Sequence, residues 1–213
     1  MATVWAHVAG TGKWTSQPST GWSHTIEIKG LADLASSLGK ASLGGRVTQL
    51  GIVAHGDAPG QVVLERKLTP SSIDTFDTAW TRLGGYLSSD GMLAFYSCIA
   101  GRGPEGTALL TAISTKLRGR TIVGFELYGL IGSTGMPNAP GAIVATDSSS
   151  AEQAIDRKVQ YGRLTPWCPF AKRARNGEIV HYPILEQADR PNKRCANPAC
   201  PGHKEPGHFC QGW

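Results

Sequence analysis

The sequence predicts an α/β fold with a mostly parallel central sheet. Three observations carry this: short β-rich runs alternate with helix-period stretches, two of those runs are almost wholly apolar, and a helical segment lies between them. The two apolar runs are Val47 to Ala54, ending in His55-Gly56, and Gly91 to Ser97, ending in Cys98. Near-continuous apolar character is what a strand buried on both faces needs.

Each element follows from its own pattern. Val4 to Val8 reads as a first strand, and the Gly-, Ser-, Thr- and Trp-rich stretch over residues 10–23 reads as a loop or hairpin. Leu31, Leu34, Ala35 and Leu38 have helical spacing that stops at Gly39. Between the apolar runs, Thr69-Pro70-Ser71 is a helix start, and Ile73, Phe76, Trp80, Leu83 and Leu87 repeat as one buried helical face. Together these make a β-α-β crossover. After Cys98 the Gly101–Gly106 loop leads into Leu109, Leu110, Ile113 and Leu117, a second helical face, and Arg120 to Phe125 is the next strand. Beyond it come a Gly- and Pro-rich stretch over Tyr128 to Gly141, a strand over Gly141 to Thr146, a modest helix over Ala151 to Tyr161 and a strand over Glu178 to Ile184.

The chain has 213 residues, 40% hydrophobic and 17% charged, which excludes disordered, collagenous and coiled-coil classes. No run approaches the roughly 18 apolar residues of a membrane span, and Met1 to His7 has no basic, apolar and small-residue leader pattern, so the expected location is cytoplasmic. Charge divides the chain. Residues 1–156 carry 11 Lys/Arg against 12 Asp/Glu, a net of −1, while residues 157–213 carry 10 against 4, a net of +6. The expected organisation is an α/β body over 1–156 and a small, irregular, basic Cys/His-rich segment over 157–213, available to an acidic partner, to nucleic acid or simply to solvent.

Adjacent parallel strands joined by a right-handed crossover end on the same edge of a sheet, where active sites collect. His55 and Cys98 each stand at such an end. On neighbouring strands roughly 5 Å apart, an imidazole and a thiol form a nucleophile-base dyad: thiolate is the attacking species, and imidazole takes the proton or pairs with the thiolate. Gly56 permits a tight turn, and its N–H together with that of Cys98 suits an oxyanion hole. Either residue alone is most often structural, because thiols pack well and strand-end histidines find partners; the joint pattern favours chemistry.

Gly51-Ile-Val-Ala-His55-Gly56 and Phe95-Tyr-Ser-Cys98-Ile-Ala-Gly101, with Glu105-Gly106 opening the next helix, resemble the caspase-like (clan CD) cysteine peptidases, closest to bacterial CHAT-type domains. The likeness covers about residues 2–126. It implies a three-layer α/β/α sandwich and peptide-bond hydrolysis of a protein or peptide substrate through an acyl-enzyme. Cys98 would be nucleophile, His55 general acid/base, and Gly56 and Cys98 the oxyanion donors, with no cofactor for catalysis. Relatives cleaving after Arg or Lys often carry an acidic residue two positions before the cysteine; Tyr96 stands there. Asp57 is then a candidate for lining a pocket for a basic side chain, or plain turn chemistry. A catalytically inactive caspase-fold binding module is the alternative the same resemblance allows.

Other chemistries lack their residues. Pro104 occupies the place a phosphatase loop gives to Arg, and neither a Gly-x-x-x-x-Gly-Lys-Ser/Thr phosphate loop nor a Gly-x-Ser-x-Gly elbow is present.

The five cysteines divide one to four: Cys98 in the body, and Cys168, Cys195, Cys200 and Cys210 in the last quarter. Cys195, Cys200, Cys210 and one of His203 or His208, with Cys168 as a substitute for the histidine, are candidate ligands of a structural zinc ion. Zinc takes four such groups, and a segment with little core of its own needs a staple. Lys172, Arg173, Arg175, Lys193 and Arg194 beside it would make a docking module for nucleic acid or an acidic protein, strongly sensitive to salt.

Overall fold

The computed structural model describes residues 1–9, 22–41, 43, 47–131, 143–146, 165–168 and 170–183. Its strands are β1 (Ala2–Val8), β2 (His24–Ile28), β3 (Val47–Val53), β4 (Val62–Val63), β5 (Lys67–Leu68), β6 (Leu87–Tyr96), β7 (Thr121–Phe125), β8 (Tyr128–Ile131), β9 (Ile143–Thr146), β10 (Ala171–Arg175) and β11 (Glu178–His181). The helices are α1 (Leu31–Lys40), α2 (Asp77–Tyr86) and α3 (Gly103–Lys116), with a 3₁₀ turn over Ile73–Phe76 leading into α2.

Seven strands form one sheet in the order β11-β10-β7-β6-β3-β1-β2. The pairs β2/β1, β1/β3, β3/β6 and β6/β7 are parallel, and β7/β10 and β10/β11 are antiparallel. The fold is therefore the expected α/β class with a mostly parallel sheet, compatible with a three-layer sandwich. After β1 the chain steps out to β2, and from β2 through β3 and β6 to β7 it then moves across the sheet in one direction. Right-handed crossovers then put α1, α2 and α3 on one face. Leu34 and Leu38 of α1, Trp80 and Leu83 of α2, and Leu109, Leu110 and Ile113 of α3 pack in one cluster with Leu50, Ile52, Leu93 and Phe95 of the sheet.

Strand alternation sends the other side chains to the opposite face. There Trp5, Val53, Ala94, Tyr96, Val123 and Phe125 form a second cluster. Trp5, Tyr96 and Phe125 make a row of tilted rings with centroids 5.2 Å apart at each step, and Trp22 joins at 5.1 Å from Trp5. Such pairs add about 0.5–1.5 kcal/mol each beyond the area they bury. Gly51 makes room for this layer: a Cβ there would lie 2.8 Å from the Trp22 ring and 3.0 Å from that of Tyr96.

Three sequence expectations shift. The 69–71 helix start becomes a 3₁₀ turn at Ile73, with α2 proper beginning at Asp77, and Leu87 opens β6 instead of closing the helical face. Thr69 and Ser72 hold the entry, since the Ser72 hydroxyl accepts the Thr69 N–H at 2.9 Å and donates to the Lys67 carbonyl at 2.9 Å. The β11 strand ends at His181. Residues 171–181, expected in the C-terminal segment, belong to the sheet of the body. The expected helix over 151–161 lies outside the described residues.

Candidate active site

The register of β3 on β6 pairs Val53 with Tyr96. His55 and Cys98 stand two residues beyond these strand ends, at the carboxyl-terminal edge of the sheet. His55 is exposed and Cys98 half-buried.

The two strand ends are lashed together. The Ser97 hydroxyl donates to the His55 carbonyl at 2.7 Å, and the Ala54 N–H donates to the Tyr96 carbonyl at 3.4 Å. Gly56 sits directly against Cys98: any Cβ there would collide with the Cys98 carbonyl oxygen and come within 2.9 Å of the Ser97 hydroxyl. On its other side His55 accepts the Val63 N–H at 2.8 Å, so the β4–β5 hairpin braces it.

The loop carrying Cys98 is tied to β7. The Ile99 N–H donates to the Leu127 carbonyl at 3.2 Å, and the Gly101 N–H to the Phe125 carbonyl at 2.8 Å. Arg102 Nε donates to the Glu126 carbonyl at 2.9 Å. Glycines allow this closeness. A Cβ on Gly101 would lie 2.7 Å from the Gly124 backbone, one on Gly106 would collide with the Gly101 backbone, and one on Gly60 would lie 2.5 Å from the Glu105 backbone. Strand, loop and helix thus stack backbone on backbone.

Ile99, next to Cys98, has φ 48° and is buried. A β-branched residue at positive φ is a genuine outlier, and such strain collects at functional sites. Sequence reasoning had no signal for it, since Ile is among the last residues expected in the left-handed region.

Charge gathers at the same edge. Lys172 of β10 is fully buried, with its ammonium donating to the Gly103 carbonyl at 3.1 Å and to the Thr107 hydroxyl at 3.0 Å in the first turns of α3. Glu126 and Arg173 are buried as well. The basic run 172–175 reads as a solvated patch, and nothing in its pattern announces burial.

Other expected site residues are placed as follows. Tyr96 is a core residue, 8% exposed, with its ring inside the aromatic layer. Asp57 is exposed and paired with Lys67 at 3.2 Å. Cys168 is buried in the second cluster. Burial pushes its thiol up, partly offset by hydrogen bonds from backbone groups of Thr165, Phe170 and Ala171, and this is the state of a packed thiol. Cys195, Cys200, His203, His208 and Cys210 lie outside the described residues. Among the described residues no three His, Cys, Asp or Glu side chains gather as metal ligands, and no helix is long and apolar enough to cross a membrane.

Residues 24–125 match the family model described as a domain of unknown function, DUF4347. The DUF4347 match runs from β2 to the end of β7 and includes His55, Gly56 and Cys98. No curated protein matches the chain.

Proposed function

We propose that this chain is a cytoplasmic cysteine peptidase of the caspase-like, CHAT-type kind, hydrolysing peptide bonds of a protein substrate. The observation that supports the reading best is the contact between the two strand ends: β3 and β6 pair in parallel up to Val53 and Tyr96, His55 and Cys98 follow each by two residues, and Gly56 packs on the Cys98 backbone. Strain at Ile99 supports it.

In this reading the Cys98 thiol gives its proton to the His55 imidazole, and Sγ attacks the scissile carbonyl. The Gly56 and Cys98 N–H groups receive the developing oxyanion. Collapse breaks the C–N bond, His55 protonates the departing amine, and an acyl-enzyme remains. Water, deprotonated by His55, then frees the carboxylic acid and restores the thiol. Every step is carried by residues of this chain. A structural zinc ion on Cys195, Cys200, Cys210 and His208 belongs to the same proposal and takes no part in the chemistry. Metal analysis of purified protein beside Cys195→Ser tests it.

The peptidase test is alkylation of Cys98 by iodoacetamide between pH 5 and 9, beside His55→Ala. An activated thiolate reacts well below the free-thiol pKa of about 8.5, and loss of His55 slows it by about tenfold or more at pH 6. Peptide-library cleavage abolished by Cys98→Ala then gives the specificity. A rate indifferent to His55 would overturn the reading in favour of an inactive caspase-fold binding module. Nucleic-acid binding lost at raised salt would favour action through the basic segment.

A further inference from the structure

On the helical face a cavity of about 270 Å³ opens between the start of α1, the β4–β5 hairpin and the 3₁₀–α2 junction. Its floor is apolar, with Leu31, Leu64 and Phe76, and its charged groups are Glu65, Arg66 and Arg82.

Two guanidinium groups face one carboxylate, and the neighbouring acids do not redress the balance. Asp74 and Asp77, on the junction itself, are both held by Lys116 at 2.7 Å. The Asp33 carboxylate folds back to accept the Lys29 N–H at 2.9 Å. Among the described residues neither Arg66 nor Arg82 has an ion-pair partner, and the Arg82 guanidinium reaches only the Ser36 hydroxyl at 3.5 Å. Glu65 lies beside the start of α1, its Oε2 3.4 Å from where a Gly30 Cβ would stand.

We propose that this cavity is a binding site for a small ligand carrying an oxyanion, carboxylate or phosphate, on a flat apolar body. The guanidinium forks of Arg66 and Arg82 take the oxyanion, since planar N–H pairs match such groups bidentately. Phe76 and Leu64 take the body. The volume suits about ten heavy atoms, at the small end of ligand pockets. The site is independent of Cys98 chemistry. It also adjoins the candidate dyad mechanically: Leu64 to Arg66 continue the strand whose Val63 holds the His55 carbonyl.

The test is calorimetric titration of the full chain with phenyl phosphate and, separately, benzoate, at low salt. Saturable binding to the wild type is expected, weakened about tenfold or more by either Arg66→Ala or Arg82→Ala and lost in the double variant. Glu65→Gln, which removes the competing carboxylate, tightens it severalfold. Both arginines are exposed, and unchanged circular dichroism melts show that the variants fold. Binding of only one probe supports the site and tells which oxyanion it prefers. No saturation up to about 10 mM, or binding unchanged in the double variant, overturns the proposal.

Discussion

In β3 and β6 the buried positions are apolar residues, glycines and Tyr96, whereas β10 buries Lys172 and Arg173 in a strand of the same sheet. The two regions meet the cost of burial differently. The parallel core removes apolar area from water, at about 25 cal/mol per Å². The β10–β11 hairpin must satisfy every charge it takes in, which Lys172 does on the α3 carbonyl and hydroxyl and Arg173 does in part by lying 4.8 Å from the Trp167 ring centre. The core tolerates changes that keep volume, and the hairpin tolerates changes that keep its hydrogen bonds.

The sharpest way to break the core is through its backbone contacts. Gly106→Ala drives a Cβ into the Gly101 backbone with no flexible side chain to yield. We expect a loss of about 4 kcal/mol or more, or failure to fold, measured as the urea midpoint. The same change at Gly85, where a Cβ meets nothing within 4 Å, raises stability slightly through helix propensity.

Next in size is the hairpin's buried cation. Lys172→Ala leaves a void and two acceptors without their donor, and should cost about 3 kcal/mol. Lys172→Met keeps the stem and removes the charge, and should recover half of that or more. Equal losses in both variants would mean that the ammonium, not the packing, holds β10 to α3.

The hairpin should also be the part sensitive to acid. Burial, reinforced by Arg173, pushes His181 down to about 3, against about 6.5 in the unfolded chain. Between those values the unfolded chain binds a proton that the folded chain refuses, so stability falls as pH drops from about 6.5 towards 3. The slope reaches up to about 1.4 kcal/mol per pH unit. His7, also lowered by burial, adds in the same direction. Urea midpoints across this range should fall less steeply in His181→Gln, and an unchanged slope would assign the acid sensitivity elsewhere.

The smallest effect probes the loop between the two regions. Ile99→Gly loses a buried side chain but relieves φ 48°, so it should cost about 1–2 kcal/mol less than Ile122→Gly on β7, where the backbone is ordinary strand. Equal costs would show that Ile99 bears no strain.

The parallel core was legible in the chain because burial there uses a code that survives in one dimension: apolar runs for strands, a three-to-four repeat for helices, and polar residues only at strand ends. Val47 to Gly56 and Gly91 to Cys98 carried that code, and so did the face of Leu109, Leu110, Ile113 and Leu117 in and after α3. The β10 strand did not, because a buried Lys and Arg make sense only beside their partners, which lie on α3 and at Trp167. Helix boundaries moved at Thr69 to Leu87 for a similar reason: the 3₁₀ entry depends on Ser72 reaching Lys67, and Leu87 follows the sheet it pairs with. By itself the sequence determined the fold class, the β-α-β order of the core, and the placing of one His and one Cys just past strand ends. Tertiary structure alone decided the register that pairs Val53 with Tyr96, the left-handed Ile99, the packing of Tyr96 in the aromatic layer and the arginine-lined cavity. Register and charge satisfaction depend on contacts between residues distant in the chain, and local pattern holds no record of them.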